Sequence, residues 1–325
     1  MRGVAARLLP GLVLLQLCVN AALAETLEET EALALLQKIA GAARQLSYAG
    51  TFVYQHGDQV ETSRITHFAD SSGEYEKLET LDGPKREVVR NNNDIWTFDA
   101  ERQAVRHERR QQRKGFPALL PDQLSHLTDF YLVRKGEQER IAGYVVQALV
   151  LQPRDDFRYG HKLWADVATG LLLKARMLDE KNQLIEQFVF TQLSINSGVT
   201  RESVRSSLDT HDWKVEPPNT GPRLGDTGWT VKAQAPGFKK IMEMKRYKLV
   251  AQTPVAHLVY SDGLAAVSVF IEPLPTTRKF QEGLTHQGAV NIYTRPLPDQ
   301  LVTVLGEVPA LTVTQMANSV SPRVP

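Results

Sequence analysis

The chain has 325 residues, enough for one large or two medium domains, and its 42% hydrophobic and 23% charged residues are typical of a globular protein. This composition excludes a collagen, a disordered tail and a polytopic membrane protein. With 38 basic and 37 acidic residues the formal net charge is +1, so the chain has no overall basic footprint for nucleic acid, and its one cysteine excludes a disulfide framework and a cysteine-based zinc site.

The N-terminal segment has the pattern of a secretory signal peptide. Arg2 and Arg7 flank the start of an apolar run over residues 8–23, and an A-x-A cleavage motif ends at Ala24. The run is short and interrupted by proline and polar residues, which disfavours a membrane anchor. The residue before Cys18 is not small, which disfavours lipid attachment to that cysteine. We therefore expect cleavage after Ala24 and a soluble exported chain without cysteine.

The mature chain begins with a predicted helix that leads into a large curved sheet. Residues 25–44 place apolar side chains at helical spacing, with acidic residues in the first turn. From Tyr48 the period changes to two, and short segments joined by tight turns predict an antiparallel meander. A short helix is predicted over residues 121–130. The strands that follow it are predicted over residues 140–152, 162–166, 171–178 and 184–193.

A stretch rich in turn residues, residues 216–222, separates this sheet from a second unit. The expected divisions are a signal peptide over 1–24, an N-terminal domain over 25–200, a linker over 201–226, a C-terminal domain over 227–318 and a tail over 319–325. In the second domain, strands are predicted over residues 255–260, 265–272, 288–294 and 300–306, with a helix or strand over 308–318. The predicted fold class is mostly β with some α, an α+β chain.

The sequence carries no motif of an enzyme, a metal site or a nucleotide site. Its eight histidines lack the i, i+4 spacing of a zinc-binding helix, and neither a nucleophile elbow nor a phosphate-binding loop occurs. Ser261 lies in a Tyr-Ser-Asp-Gly segment that a hairpin turn explains better than a nucleophile does. We therefore expect no catalytic residue, no metal and no cofactor.

Although the net charge of the chain is close to zero, two of its segments are locally basic. Residues 101–114 hold six basic and two acidic side chains, and residues 239–248 hold five basic and one acidic. Because arginine forks suit phosphate and carboxylate oxygens, these clusters are candidates for an anionic lipid head group or an acidic partner segment. A solvated loop or strand face explains each cluster alone equally well.

Contiguous motifs in both units of the chain are typical of a known family. In the first unit they are Tyr-Ala-Gly-Thr-Phe-Val-Tyr-Gln-His-Gly at residues 48–57 and Arg-Ile-Thr-His at residues 64–67. In the second unit they are Pro-Gly-Phe at residues 236–238 and Leu-Val-Tyr-Ser-Asp-Gly-Leu-Ala at residues 258–265. Residues 163–174 also resemble the sheet of lipoprotein-carrier folds. The motifs of the two units resemble the MucB/RseB family of periplasmic regulators, and the resemblance spans nearly all of the mature chain.

The resemblance implies an N-terminal domain built as an unclosed, strongly curved β-barrel with helices, similar to periplasmic lipoprotein carriers, and a smaller C-terminal α+β domain. Family members bind the periplasmic part of a membrane-spanning anti-sigma factor and shield it from a site-one protease. Lipopolysaccharide or a related acyl lipid releases them, which permits proteolysis and frees an envelope-stress sigma factor of the sigma-E/AlgU type. On this resemblance the chain is expected to be a periplasmic binding regulator without enzymatic activity.

An open barrel leaves a concave apolar face, where each acyl methylene removed from water contributes about 0.8 kcal/mol. Strand aromatics are the candidates for lining such a lipid cavity, although core packing is the commoner role for any one of them. The candidates are Phe52, Tyr54, Trp96, Phe98, Trp164, Phe188 and Phe190. The candidates for holding an anionic head group at its mouth are Arg102, Arg106, Arg109, Arg110, Arg113 and Lys114.

The second domain is expected to supply much of the anti-sigma contact, because its resemblance to the family is dense there. The candidate partner-binding residues are Phe238, Lys239, Lys240, Arg246, Tyr260, Asp262 and Phe270.

Two functions from other classes compete with this interpretation. A lipoprotein carrier would need only the barrel, so the second domain argues against it. A secreted hydrolase would need a convergent nucleophile and base, for which the sequence has no motif. A nucleic-acid partner is not expected. The oligomeric state, monomer or homodimer, and the identity of the lipid are left open by the sequence.

Overall fold

The computed structural model describes residues 25–109, 115–121, 124–196, 198–216, 223–247, 254–274 and 280–323. This part of the chain forms two β-rich domains, each with its own hydrophobic core. The predicted signal peptide lies outside the described residues, as do Arg110, Arg113 and Lys114 and the side chain of Arg246. None of the helices in the described ranges is both long enough and apolar enough to cross a bilayer.

The N-terminal domain is built on a 13-stranded sheet. Its strands are β1 Glu25–Thr26, β2 Tyr48–His56, β3 Gln59–Asp70, β4 Gly73–Thr80, β5 Arg86–Asn91, β6 Asp94–Asp99, β7 Ala104–Arg109, β8 Tyr131–Ile141, β9 Tyr144–Pro153, β10 Gly160–Asp166, β11 Leu172–Leu178, β12 Leu184–Ile195 and β13 Lys214–Glu216. The spatial order is β1-β8-β9-β10-β11-β12-β2-β3-β4-β5-β6-β7-β13, antiparallel except for the parallel β7–β13 pair. The order is linear, so the described sheet does not close into a barrel. The predicted mostly-β fold with an unclosed sheet is confirmed.

Helix α1, Glu29–Gln45, packs on one face of this sheet, which we call the inner face. Its buried stripe includes Leu36 and Ile39, and the acidic residues of its first turn complement the helix dipole. The helix starts later than predicted because the residues before it add a short strand to the edge of β8. A single turn of helix, α2 Leu127–Phe130, replaces the longer helix predicted over 121–130.

The C-terminal domain is a seven-stranded sheet with one helix and a two-stranded ribbon. Its elements are β14 Arg223–Leu224, β15 Trp229–Val231, β16 Lys239–Tyr247, β17 Pro254–Ser261, β18 Ala266–Pro273, β19 Gly283–Gln287, β20 Val290–Pro296, β21 Gln300–Gly306, α3 Ala310–Asn318 and β22 Val320–Pro322. The sheet order is β14-β16-β17-β18-β21-β20-β19, and β15 pairs with β22. The four strands predicted in this domain are present, and its last predicted element is a helix. The sequence did not predict β16, β19 or the short strands β14, β15 and β22.

A segment that we call the strap, residues 198–208, lies against the outer face of the N-terminal sheet after β12 ends. Glu87 of β5 fastens it, because its fully buried carboxylate accepts hydrogen bonds from the Ser206 hydroxyl at 2.7 Å and from the Ser207 backbone N–H at 3.0 Å. The Ser207 hydroxyl donates a third bond. Burial acts to raise the pKa of Glu87, but these bonds hold it below its ordinary value.

Replacing Glu87 with glutamine should loosen the strap, because the donors of Ser206 and Ser207 lose a charged acceptor, at a cost of about 1–3 kcal/mol. Amide hydrogen exchange over residues 198–208 should accelerate and urea unfolding should shift to lower concentration. Because the pKa of Glu87 is lowered by folding, its stabilisation is present above the unfolded-state pKa and is lost as the pH falls through the folded-state pKa. The stability difference between wild type and variant should therefore shrink in acid.

The matched control is Glu202→Gln on the strap itself, where the side chain is 71% exposed and pairs with exposed Arg205. This change should leave strap exchange nearly unaltered. Equal exchange in wild type and Glu87→Gln would show that the buried carboxylate does not fasten the strap.

Candidate functional site

A cavity of about 310 Å³ lies where the two domains meet. Its wall from the N-terminal domain is largely apolar and comes from the inner face of β2 and β9–β12, together with the loop over residues 115–121. The C-terminal domain contributes Leu264 and Glu307. A molecule that fills this cavity would therefore contact both domains.

The apolar wall contains an aromatic cluster from two neighbouring strands and the loop. Tyr54 and Phe188 stack with ring centroids 4.6 Å apart and both line the cavity. Phe116, from the loop, stacks on Phe188 at 5.4 Å and also contacts Phe52 and Phe190, which pack behind it in the core. Four of the seven predicted lipid-cavity residues thus share the inner face, with two at the cavity surface and two behind it.

Three predicted lipid-cavity residues face the opposite side of the sheet. Trp164 follows Leu163, which lines the cavity, and successive side chains of a strand alternate between faces. The Trp164 ring is 2% exposed because Lys174, Lys162 and Arg176 lie over it at 4.2, 4.8 and 5.5 Å.

Trp96 and Phe98 also alternate to the outer face, where Trp96 stacks on His107 at 4.9 Å. The expectation that strand aromatics converge on one cavity is therefore corrected for these three residues: aromatic content does not reveal which face a strand turns inward.

The polar end of the cavity brings together two carboxylates, one from each domain. The Tyr54 hydroxyl donates to Glu186 at 2.9 Å, and Glu307 lines the same cavity from the second domain. Burial and the nearby negative charge of Glu307 raise the pKa of Glu186. Burial and the same two carboxylates raise the pKa of Tyr54. Burial lowers the pKa of His161, also in the lining, to about 4, so this imidazole is neutral at physiological pH.

The first basic cluster is partly occupied by local ion pairs. Arg106 on β7 binds Glu216 of β13 at 2.7 Å, and Arg102 lies 3.8 Å from Asp99 at the turn before β7. Arg109 is exposed at the end of β7. Arg110, Arg113 and Lys114 fall outside the described residues. No described contact joins this cluster to the cavity, and its role at a head group stays a prediction.

The predicted partner-binding residues of the second domain separate into buried and exposed groups. Phe238 and Tyr260 belong to the domain core, and Asp262 is buried at the boundary with the first domain. Phe270 is half-buried and stacks on His257 at 4.1 Å. Lys239 and Lys240 are exposed on β16, where Lys240 pairs with Glu243. Buried side chains cannot present a surface to a partner, so of the residues with described side chains only the lysines and Phe270 remain candidates.

The Arg158 guanidinium joins the two domains. It forms a two-pronged ion pair with Asp155 of its own loop at 2.9 and 3.0 Å and a second ion pair with Asp262 of the second domain at 2.6 Å. It also donates to the Pro236 carbonyl. The side chains of Arg158 and Asp262 are both shielded from water, so this network lies in a low-dielectric environment.

Aromatic rings and close backbone contacts surround this ion network. The Arg158 guanidinium lies 4.6 Å from the Phe130 ring and 5.2 Å from the Phe238 ring, one from each domain. Gly237 packs so closely on Phe130 that a Cβ there would lie 2.4 Å from the ring, and its φ of +78° is one that glycine adopts freely. The Thr312 hydroxyl of α3 donates to the Phe157 carbonyl at 2.8 Å.

Sequence patterns did not single out Arg158, Glu186 or Glu307. Each is an ordinary charged residue in its local sequence. Arg158 pairs with Asp262, 104 positions further along the chain, and Glu186 and Glu307 are 121 positions apart, so spacing could not pair them. The one available signal was Asp262 itself, which lies in a segment that resembles the family. No group of three metal-ligating side chains is placed to hold an ion among the described residues.

The fold and the cavity together define a class of protein. An open 13-stranded sheet holds a second domain through a buried ion network, and the largely apolar cavity lies at their boundary. This is the architecture of a two-domain binding protein. The chain belongs to the MucB/RseB family: the model of the MucB/RseB N-terminal domain matches residues 31–208 and that of the MucB/RseB C-terminal domain matches residues 223–321.

Relatives cover nearly the whole chain. The sigma factor AlgU regulatory protein MucB of Pseudomonas aeruginosa is 34% identical over 295 residues, which is 88% of this chain and 90% of MucB. The sigma-E factor regulatory protein RseB of Escherichia coli K12 is 24% identical over 291 residues, 88% of this chain and 89% of RseB. The crystal structure of MucB in complex with MucA(peri) superposes with a TM-score of 0.72 at 32% identity, covering 90% of this chain and 100% of that one. The family resemblance of the sequence is confirmed, and both relatives are named as regulators of sigma factors.

Replacing Arg158 with methionine should destabilise the chain by about 3–5 kcal/mol, because Asp155 and Asp262 then lie together without a cation at a buried site. Urea unfolding should report the loss, and small-angle X-ray scattering should show a larger radius of gyration as the domains separate. The control is Arg154→Met in the same loop, an exposed arginine whose Nε donates to the Thr128 carbonyl. If both variants behave alike, the Arg158 network does not hold the domains together.

Replacing Glu186 with glutamine should stabilise the chain at neutral pH. The raised pKa means that the folded state binds the Glu186 proton more tightly than the unfolded state, so stability is lost as the pH rises through the folded-state pKa. Glutamine still accepts from Tyr54 but carries no charge next to Glu307. Thermal unfolding should show a higher Tm for the variant at pH 8 and a difference that closes in acid. Glu137→Gln, whose pKa a Lys162 hydrogen bond lowers, should not raise the Tm.

Proposed function

We propose that the chain is a periplasmic regulator that binds the periplasmic domain of a transmembrane anti-sigma factor and shields it from site-one proteolysis, and that lipopolysaccharide or a related acyl lipid releases it. The observation that carries the proposal is the match over both domains to MucB in its complex with MucA(peri). A match to the sheet alone would have supported a lipid-binding module without specifying a regulator. The signal-peptide pattern of residues 1–24 supports export.

The cavity at the domain boundary supports the lipid part of the proposal. Its wall is mostly apolar, and each methylene of an acyl chain buried there would contribute about 0.8 kcal/mol. Because the cavity is lined by both domains, an acyl chain within it would alter the contact between Leu264 and the first domain's core. A lipid could release the partner only if it bound the partner-free arrangement more tightly, and a shift from 1:99 to 99:1 needs a preference of about 10⁴-fold.

The two-domain construction also favours a regulator over a lipoprotein carrier. A carrier would need only the open sheet, whereas this chain joins a second domain to it through the buried Arg158 network. The exposed Lys239 and Lys240 of that second domain are suited to an acidic segment of the partner. Arg246 remains a candidate on the same strand.

Protection of a purified anti-sigma periplasmic fragment from its site-one protease should test the proposal directly. An equimolar amount of the full exported chain should lengthen the half-life of the fragment at least tenfold, and added lipopolysaccharide should reverse that protection. No protection at micromolar concentration would contradict partner binding. Protection that lipid leaves unchanged would contradict the release step alone.

Charge reversal should locate the head-group contact. Combined replacement of Arg109, Arg110 and Arg113 with glutamate should abolish release by lipopolysaccharide while leaving protection intact, and Arg106 is kept because it pairs with Glu216. The matched control reverses three cations elsewhere on the same domain: Arg64, Arg140 and Lys181, all exposed. If the two triple variants respond to lipid equally, the first basic cluster does not contact the head group.

A further inference from the structure

A second cavity, of about 400 Å³, lies under the strap on the outer face of the N-terminal sheet. The sheet contributes the rings of Tyr75 and Trp96 and the side chain of Val89, and the strap contributes Val204. The volume is in the range of small-molecule sites. Every lining residue belongs to the first domain, and Tyr75, Val89 and Trp96 face away from the cavity at the domain boundary.

The cavity is aromatic on one side and cationic on the other. The Arg201 guanidinium lies over the Tyr75 ring, 4.3 Å from its centroid, and donates to the Tyr75 hydroxyl at 2.7 Å. This geometry fixes the plane of the guanidinium and uses one of its five N–H donors. Tyr75 is 5% exposed, so the ring that the guanidinium contacts is buried on the outer face of the sheet.

The charged side chains that line the cavity are cationic, and the nearest described carboxylates lie outside its lining. Arg205 also lines it and pairs at 2.9 Å with Glu202, but both side chains are more than 70% exposed, so solvent screens the pair. Asp70 lies near Arg201; hydrogen bonds from Ser72 lower its pKa, and the positive charge of Arg201 contributes to the same shift. None of the described lining residues is a carboxylate, whereas Arg201 and Arg205 are among them.

We propose that the cavity under the strap binds a small organic anion in which a carboxylate or similar oxyanion is attached to a flat apolar body. The oxyanion would accept from the fork of Arg201 and from Arg205, because guanidinium groups match the geometry of carboxylate oxygens. The flat body would stack on Trp96 and contact Val89 and Val204, which removes apolar area from water. The proposal does not rest on the anti-sigma and lipid interactions proposed above.

Titration of the full exported chain with 2-naphthoate tests this proposal. Isothermal calorimetry should give one site per chain, and the indole N–H resonance of Trp96, assigned with Trp96→Phe, should show the largest shift among the four tryptophans. The uncharged 2-naphthamide should bind at least tenfold more weakly, because it cannot form the ion pair. Binding that shifts only other tryptophans, or no binding at millimolar concentration, would overturn the proposal.

Two arginine variants separate binding from strap integrity. Arg201→Gln should weaken 2-naphthoate binding at least tenfold, but it also removes the contact with Tyr75. Arg205→Gln replaces an exposed side chain and should weaken binding several-fold with unchanged amide exchange over residues 198–208. Arg140→Gln, an exposed arginine at the β8–β9 turn, is the matched control. Equal affinity of wild type and Arg205→Gln, together with equal affinity for the acid and the amide, would show that the arginines do not select an anion.

Discussion

The arrangement of the two domains depends on the Arg158 guanidinium, which is shielded from water and shared between Asp155 and Asp262. Removing a cation and two carboxylates from water is costly, and a buried ion pair is often no more stable than an apolar one. The network instead fixes the position of the second domain relative to the first, because a misplaced second domain would leave Asp262 or Arg158 buried without a partner. The rings of Phe130, Tyr131 and Phe238 enclose the cation and exclude water from the same point.

The cavity at the boundary is a consequence of that arrangement. The inner face of the sheet supplies the aromatic wall, but Leu264 and Glu307 belong to the cavity only while the second domain is held in place. The apolar contact of Leu264 and the Arg158 network favour the two domains in contact. The neighbouring carboxylates of Glu186 and Glu307 oppose this contact at neutral pH. Because the contributions at this boundary oppose one another, a ligand that prefers one arrangement shifts the population toward it by as much as its differential affinity allows.

Both faces of the open sheet in the first domain carry aromatic side chains. Along each strand, side chains alternate, so the inner face holds Phe52, Tyr54, Phe188 and Phe190 while the outer face holds Trp96, Phe98 and Trp164. The inner face is covered by α1 and the loop with Phe116, and the remaining part of it lines the boundary cavity. The outer face is covered at one end by the strap, which Glu87 fastens, and at the other carries the cations that lie over Trp164.

The sequence by itself determined the class of fold, the family and most strands, because each depends on local periodicity, turn residues or a contiguous motif. Strand β16 was missed because its lysines obscure the period-two pattern. Which aromatics share a cavity depends on strand register and on which face α1 covers. The roles of Arg158, Asp262, Glu186 and Glu307 depend on partners about a hundred residues apart along the chain. Only the tertiary structure decided these, because burial and charge pairing are properties of positions in space.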